Sequence, residues 1–305
     1  MAKHQFSFIF PGLGTKKMDL FRVSNDSLNK SINCLINASS DIIGFDVAAR
    51  LNNLSDNMNN ELELFDQIAN YSLSCAVAKF YEGIGLKAEL LCGCSLGIYS
   101  ALHFAGAYTF KTGIELIQTA YRLLSQSLKG DTGAVAVVIG FTRNRLDKLI
   151  HDSSTNCTVE IANVNGRFNH VITGLECDVH TVMADAEREG ALKVFKLHST
   201  LPYHHTSFFG RAESEFKNYL ASINIRDSKI PLMSCIDQRI ISSSSEIQHE
   251  LVSNLVSNLS WMSTVHQLSL YGITDVADTS IDNQLYKISS SINKSCRFYC
   301  WQDLS

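Results

Sequence analysis

A short strand that turns into a helix around a serine is the feature that most constrains how this chain can fold. The strand is predicted over residues 88–92 and the helix begins near Tyr99, with Gly93-Cys94-Ser95-Leu96-Gly97 between them. A side chain in place of either glycine would clash where the backbone doubles back, so the pattern is typical of a nucleophile elbow. The serine oxygen would then lie at a helix N-terminus, where backbone amides can stabilise an oxyanion. The motif alone is equally compatible with a glycine-rich turn that holds an inert serine.

Composition narrows the class of protein. The chain has 305 residues, of which 45% are hydrophobic and 18% charged, enough for one large domain with or without a smaller companion. A net charge of −4 argues against a nucleic-acid partner. The apolar stretches are too short to span a membrane, and residues 1–5 lead into a strand rather than a signal peptide, so we expect a cytoplasmic protein. The nine cysteines show no paired CxxC spacing, which predicts neither disulfides nor a metal site.

Strands and helices alternate through most of the chain. A strand over residues 6–10 ends at the turn Pro11-Gly12-Leu13-Gly14, and helices are predicted over residues 66–81 and 110–129 on either side of the elbow. Later, residues 230–236 are predicted as a strand and Ser242–Ser245 as a polar loop. This alternation favours an α/β fold with a mainly parallel sheet.

The middle of the chain follows a different pattern, strand-helix-strand-strand-helix-strand. The strands are predicted over residues 134–140, 158–162, 170–173 and 192–197, and the helices over 142–151 and 178–189. This order is that of a ferredoxin-like unit. We therefore predict a large α/β domain formed by residues 1–130 and 201–305, with a ferredoxin-like domain, residues 131–200, inserted into it.

A serine nucleophile needs a base. A pair of histidines lies at the junction where the chain leaves the inserted unit and returns to the large domain. The sequence there is Leu201-Pro202-Tyr203-His204-His205. Clefts form at domain junctions, and Pro202 would fix the backbone ahead of His204. A neutral imidazole at that place could take the proton of Ser95. Paired histidines at the start of a solvated helix are the alternative explanation, and His205 is the rival base.

Several separate motifs, in order over nearly the whole chain, resemble the malonyl-CoA:acyl carrier protein transacylase family, which includes the acyltransferase domains of polyketide synthases. The family's large domain is α/β-hydrolase-like. The matching segments are Phe8-Ile9-Phe10-Pro11-Gly12-Leu13-Gly14-Thr15, Gln67, Gly93-Cys94-Ser95-Leu96-Gly97, Ala162-Asn163-Val164-Asn165, Val171-Ile172-Thr173-Gly174 and Pro202-Tyr203-His204.

The resemblance implies a ping-pong mechanism. Ser95 would attack an acyl thioester with His204 as general base, and the backbone amides of Leu13 and Leu96 would bind the oxyanion. The thioester is carried on the phosphopantetheine of CoA or acyl carrier protein, which is substrate rather than bound cofactor. The family orients its histidine through a backbone carbonyl, and Asn254 falls at that position. The substrate pocket expected from the resemblance comprises Gln67, Cys94, Ala120, Asn165, Asn169 and Tyr203.

One departure from the family bears on the substrate. Malonyl-using members carry an arginine, about 25 residues after the nucleophile, that pairs with the substrate carboxylate. The equivalent residue here is Ala120, and Arg122 lies about 200° further round the helix, facing away. We therefore expect acetyl or longer uncharged acyl groups rather than malonyl or methylmalonyl.

Three functions fit this pattern. The first is transfer of an uncharged acyl group between CoA or carrier-protein thiols, and the second is hydrolysis of stalled acyl chains from carrier proteins in a polyketide assembly line. The third is a non-catalytic subunit that binds carrier protein. An unrelated α/β-hydrolase fits less well, because that fold has no inserted ferredoxin-like unit. We expect a monomer whose acidic carrier protein docks on basic residues, for which Lys16, Lys17 and Arg167 are candidates, although solvated surface charge also explains them.

Overall fold

The computed structural model describes residues 5–13, 23–52, 60–128, 130–153, 158–206 and 208–304. These residues form two sheets surrounded by helices. The strands are β1 Phe6–Phe10, β2 Ala88–Gly93, β3 Gly133–Ile139, β4 Glu160–Gly166, β5 Asn169–Leu175, β6 Lys193–Lys196, β7 Leu232–Met233, β8 Ile240–Ile241, β9 Asp275–Asp278 and β10 Arg297–Tyr299. The helices are α1 Asp26–Ile43, α2 Val47–Asn52, α3 Asn60–Gly83, α4 Gly97–Phe104, α5 Phe110–Ser127, α6 Arg143–Ser153, α7 Glu176–Arg188, α8 Gly210–Leu220, α9 Ser244–Val256, α10 Trp261–Leu270 and α11 Gln284–Ile292.

The larger sheet has six strands in the order β10-β9-β1-β2-β7-β8. All of its neighbouring strands pair in parallel except β7 and β8, so the mainly parallel α/β sheet that the sequence predicts is confirmed. Side chains of β1 alternate between two apolar layers, as the period of a strand requires. Phe8 and Phe10 pack in the core that includes residues of α1, α3, α4 and α5, whereas Ile9 packs in the core that includes residues of α10 and α11.

The smaller sheet has four antiparallel strands in the order β4-β5-β3-β6. Together with α6 and α7 these strands give the predicted ferredoxin-like order. One face of β3, with Ala134, Ala136 and Val138, packs in the core shared with α6 and α7. The opposite face points away from that core and is free to line a cleft. The division into one domain of residues 1–130 and 201–305 and a second of residues 131–200 stays a prediction. The strands of the larger sheet all come from the first set of residues and those of the smaller sheet from the second.

Backbone hydrogen bonds tie the two sheets together beside the elbow. Leu259 donates its amide to the carbonyl of Ala162 at 2.8 Å and accepts from the amide of Val164 at 3.1 Å. Leu259 and Asn163 thus form an isolated parallel bridge between β4 and the turn that precedes α10. This bridge, which we call the Leu259 bridge, fixes the edge of the smaller sheet to the larger unit.

Two local predictions differ from the structure. Only Leu232–Met233 of the predicted strand 230–236 is a strand. Ser242–Ser245 is not simply a polar loop, because Ser243 is the N-cap of α9 and forms a capping box with Glu246. That pair satisfies amides that the first turn of a helix leaves without partners.

Candidate active site

The elbow has the tight geometry that its glycines predict. A Cβ on Gly97 would lie 2.1 Å from the carbonyl oxygen of Phe10, and one on Gly93 would lie 2.4 Å from the Cα of Ile98. Real Cβ atoms cannot approach backbone atoms so closely, so both positions need glycine. Ser95 stands between them with a φ of 53°, a left-handed conformation that is strained for a residue with a side chain. The serine is held at the carboxyl end of β2, immediately before α4.

His204 contacts this serine directly. Its Nε2 lies 2.6 Å from Ser95 Oγ, which is hydrogen-bond distance. His204 also has a left-handed φ, of 58°, and its carbonyl accepts a hydrogen bond from Asn258 Nδ2 at 2.9 Å. The rival base His205 is engaged elsewhere, with its Nε2 hydrogen-bonded to the carbonyl of Thr158.

Burial keeps the imidazole of His204 uncharged. His204 is 6% exposed, and burial lowers its pKa to about 4, more than the nearby carbonyls of Ser257 and Asn254 raise it. Neither carbonyl completes a hydrogen bond to Nδ1. The Asn254 side chain instead donates to the carbonyl of Ser95 at 3.4 Å. At neutral pH the ring is therefore unprotonated and able to accept a proton.

The predicted oxyanion amides lie beside the serine. Leu13 follows the end of β1 and Leu96 follows Ser95, and both residues line the pocket that contains Ser95 and His204. In the described ranges, neither amide donates to another protein group. The Gly12 carbonyl before Leu13 accepts a hydrogen bond from Asn70 Nδ2 at 2.7 Å. An oxyanion formed next to Ser95 would therefore meet the amides of Leu13 and Leu96.

An apolar pocket opens on one side of Ser95; we call it the inner pocket. Its empty space is about 470 Å³, counting the part open to solvent. It is lined by Leu13, Gln67, Ser95, Leu96, Tyr99, Ile117, Ala120, Tyr121, Leu124, Tyr203, His204, Asn254 and Leu255. Gln67 Nε2 donates to the hydroxyl of Tyr203 at 2.5 Å, closing one wall. The pocket therefore offers apolar contacts to a group attached to Ser95.

A wider cleft lies on the other side of Ser95; we call it the outer cleft. It has about 1170 Å³ of empty space, again counting open solvent, and runs between the two sheets. The free face of β3 supplies Val135, Val137 and Ile139, and three predicted pocket residues, Cys94, Asn165 and Asn169, also line it. It shares Leu13, Ser95, Tyr203 and His204 with the inner pocket. The eleven residues predicted for the site thus all line one or both of these two spaces.

Comparisons with known proteins agree with this architecture. The malonyl CoA-acyl carrier protein transacylase of Bacillus subtilis is 27% identical over 304 residues, covering 97% of this chain and 74% of the relative. The crystal structure of the malonyl-CoA:acyl carrier protein transacylase from Xanthomonas oryzae superposes with a TM-score of 0.85 at 25% identity, covering 98% of this chain and 95% of the other. The resemblance seen in the motifs is thus confirmed: over nearly its whole length the chain is similar to malonyl-CoA:acyl carrier protein transacylases.

A further solved structure of the family contains a type II polyketide-synthase acyl-carrier protein in complex with its malonyl-transacylase. It matches this fold with a TM-score of 0.85 at 24% identity, over 97% of this chain and 95% of that one. No protein-family model matches the chain.

The carboxylate-binding arginine that the resemblance leads one to look for has no counterpart among the described residues of the inner pocket. Ala120 lies at that place on α5, 5% exposed, and the described lining residues of the pocket include no lysine or arginine. Arg122 is on the exposed side of the same helix, where its Nη1 reaches Gln126 at 3.4 Å. The separation of Ala120 and Arg122 that the helical period predicts is therefore present.

Several residues that hold the site in shape were not among the predicted site residues. Asn163 donates to Asn165 Oδ1 at 3.0 Å and accepts from the amide of Trp261 at 3.1 Å, linking β4 to α10. Asn163 could have been predicted as a site residue, because it lies within the matched segment Ala162-Asn163-Val164-Asn165. Asn258, which holds the His204 carbonyl, and Glu63, which is buried on α3, carry no local signal that distinguishes them.

In the part of the chain that the structure describes, no group of three or more histidine, cysteine or acidic residues could hold a metal ion. Similarly, no helix of the described ranges is both long and apolar enough to cross a bilayer.

Cys94 is a buried thiol whose pKa burial raises to about 12, so it is protonated beside the serine. Lys16 and Lys17 lie outside the described residues.

Proposed function

We propose that this chain is an acyltransferase that moves an uncharged acyl group between the thiols of CoA and acyl carrier protein through an ester on Ser95. The observation that carries the proposal is the 2.6 Å contact between Ser95 Oγ and the Nε2 of a buried, neutral His204. Similarity to malonyl-CoA:acyl carrier protein transacylases and the shared fold support the acyl-transfer chemistry. The apolar inner pocket supports the choice of acyl group.

The steps follow from the geometry. Ser95 Oγ attacks the thioester carbonyl while its proton passes to His204 Nε2, and the oxyanion faces the amides of Leu13 and Leu96. Collapse of this intermediate breaks the carbon–sulfur bond, and the departing thiolate takes the proton from His204. The acyl group remains as an ester on Ser95 until a second thiol, activated by the same histidine, reverses the sequence.

The inner pocket selects against a charged acyl group. A malonyl carboxylate placed there would lose its hydration and would gain no cationic partner in return. This raises the free energy of the bound state by several kcal/mol. Each 1.4 kcal/mol is a factor of about ten in rate or affinity. We therefore expect acetyl or another short uncharged acyl group to load at least about 100-fold faster than malonyl.

The mouth of the outer cleft is where a carrier protein would dock. Phe168 is 44% exposed and Leu192 is 82% exposed. At the end of the smaller sheet, the Phe168 carbonyl accepts from the amide of Gly140 and the Leu192 amide donates to the carbonyl of Ile139. The guanidinium of Arg167 lies 5.1 Å from the centre of the Phe168 ring. An apolar surface with a neighbouring cation suits an acidic carrier protein, whose arm would then enter the outer cleft.

Intact-protein mass spectrometry tests the proposal. The enzyme is incubated with acetyl-CoA or malonyl-CoA, and then with the thiol form of an acyl carrier protein, while both masses are followed. We expect a stable acetyl adduct that Ser95→Ala abolishes and that moves to the carrier. Free acetate without transfer would instead assign a hydrolase. A carrier protein that binds but never exchanges acyl groups would assign a non-catalytic subunit, and rapid malonyl loading would refute the selectivity argument.

A further inference from the structure

A buried carboxylate lies behind the site, and the chemistry described so far makes no use of it. Glu63 is in the first turns of α3 and is 0% exposed. Burying a carboxylate is costly unless hydrogen bonds satisfy its oxygens. Glu63 therefore stays in this position only because specific partners surround it, and those partners indicate what it holds.

The hydrogen bonds that Glu63 makes within the described residues go to one segment, residues 197–204, which leads from β6 to His204; we call it the return segment. Glu63 Oε1 accepts from Ser199 Oγ at 2.8 Å. Its Oε2 accepts from the amide of Thr200 at 2.9 Å and from Thr200 Oγ1 at 2.8 Å. Three hydrogen bonds to one carboxylate fix the side chains of two successive residues and the backbone of the second.

The return segment needs such an anchor because His204 at its end is strained. The left-handed φ of His204 is unfavourable for a residue with a side chain and persists only when the surroundings impose it. On the far side, Asn258 holds the His204 carbonyl. On the near side, the carbonyl of Thr200 accepts from the amide of Gly133 at 2.9 Å, and Glu63 adds side-chain hydrogen bonds to Ser199 and Thr200.

The next polar residue on the same face of α3 continues the arrangement. One turn beyond Glu63, Gln67 donates to the hydroxyl of Tyr203, the neighbour of His204. Residues four apart lie on one face of a helix, so α3 presents two successive side chains to the return segment. The orientation of the histidine is thus set from α3 as well as from the loop after α9.

We propose that Glu63 is a positioning residue, whose carboxylate holds Ser199 and Thr200 so that His204 Nε2 stays within hydrogen-bond distance of Ser95 Oγ. The inference rests on the proposed Ser95–His204 chemistry but not on which thioester the enzyme uses. Glu63 touches neither the substrate nor the reacting atoms. Removing it changes how often the imidazole is aligned with the serine and how deeply it is buried.

The test measures serine reactivity with a fluorophosphonate, which needs His204 to take the serine proton but needs no natural substrate. The second-order rate constant is measured across acid and neutral pH for the wild type, Glu63→Leu and Glu63→Gln. For Glu63→Leu we expect a fall of at least about tenfold, since small misplacements of reacting groups have effects of this size. The acid midpoint should also move from about 4 toward the ordinary histidine value of about 6.5, as water reaches the ring. Glu63→Gln, which keeps an acceptor for Thr200, should restore most of the rate.

Glu250→Leu is the matched control. Glu250 is also a buried carboxylate, 3% exposed, and accepts from Ser234 Oγ at 2.7 Å, but its partner lies outside the return segment. We expect it to lose stability without any shift of the midpoint. Burial raises the pKa of Tyr121 to about 12 and that of Tyr203 well above its usual value, so neither tyrosine changes charge in the acid range.

Three results would overturn the inference. One is a Glu63→Leu rate and midpoint equal to those of Glu250→Leu. Another is a wild-type Ser95 that reacts no faster than in His204→Ala. If Glu63→Leu does not fold, the double variant Ser199→Ala/Thr200→Val removes both hydroxyl donors, and an unchanged midpoint there would be the third. Failure of acyl transfer from CoA, with probe labelling still dependent on Glu63, would count against the proposed function alone.

Discussion

Acid should unfold this protein partly through His204. The imidazole is fully enclosed in the folded state, where burial lowers its pKa to about 4, whereas an exposed histidine has a pKa of about 6.5. Between these two values the unfolded chain binds a proton at this residue and the native chain does not. Stability therefore falls as pH falls through this window, and the contribution of His204 is complete below a pH of about 4.

The size of the effect follows from the two pKa values. Because the folded state keeps His204 neutral, the free energy of unfolding should fall by about 2 kcal/mol between pH 7 and pH 5. The total fall from pH 7 should reach about 3 kcal/mol once the pH is below 4. Asp278 acts in the opposite direction. Burial raises the pKa of its carboxyl to about 6, so the native state takes up a proton there first and gains about 1 kcal/mol by pH 5. A comparison with a variant is needed to separate the two groups.

The assay is urea unfolding at pH 7 and pH 5 for the wild type and His204→Gln. Asp278 and the other acid-titrating groups are common to both proteins and cancel in the difference. We expect the wild type to lose about 2 kcal/mol more than the variant between the two pH values. Equal losses would refute the claim that the folded histidine is held neutral by burial.

Three further predictions concern the elbow, the histidine and the inner pocket. Gly97→Ala should destabilise the fold by about 3 kcal/mol in urea unfolding, because its Cβ meets backbone at 2.1 Å, whereas Gly83→Ala, with open space around it, should be neutral or stabilising; equal effects would contradict the steric argument. Asn258→Ala should slow acylation of the serine about tenfold in a stopped-flow assay with little change in substrate KM, and a change in KM alone would mean a role in binding. Ala120→Arg should raise the ratio of malonyl to acetyl loading at least about tenfold by mass spectrometry, and an unchanged ratio would show that the pocket does not select by charge.

Candidates for the reacting groups can be named from the sequence, because nucleophile chemistry demands particular residues at short spacing. Gly93, Ser95 and Gly97 must stand together for steric reasons, so the elbow can be predicted from a motif of five residues. His204 could be chosen from its position at the junction and from family resemblance. The 2.6 Å contact between Ser95 and His204 agrees with the pairing, although the catalytic roles stay predictions until they are measured.

The supporting residues could not be predicted in the same way. Glu63 stands in a helix among other acidic residues, and only the fold brings it within 2.8 Å of Ser199, 136 positions later. Asn258 likewise acts across 54 positions. Ser243 is a different case, since the spacing Ser-x-x-Glu to Glu246 is a recognised helix start that the prediction of a polar loop passed over.

The Leu259 bridge has a consequence for how this enzyme could be adapted. Two backbone hydrogen bonds hold the two units together at this edge of the outer cleft, and they do not depend on which side chains stand at Ala162, Val164 and Leu259. A bulkier thioester cannot be admitted by letting the halves swing apart without breaking both bonds. Room has to be made by trimming the walls, for which Val137 and Phe195 on the free face of the smaller sheet are the accessible positions. To accept larger acyl chains, the enzyme would therefore need smaller residues in the cleft wall rather than a wider separation of its two units.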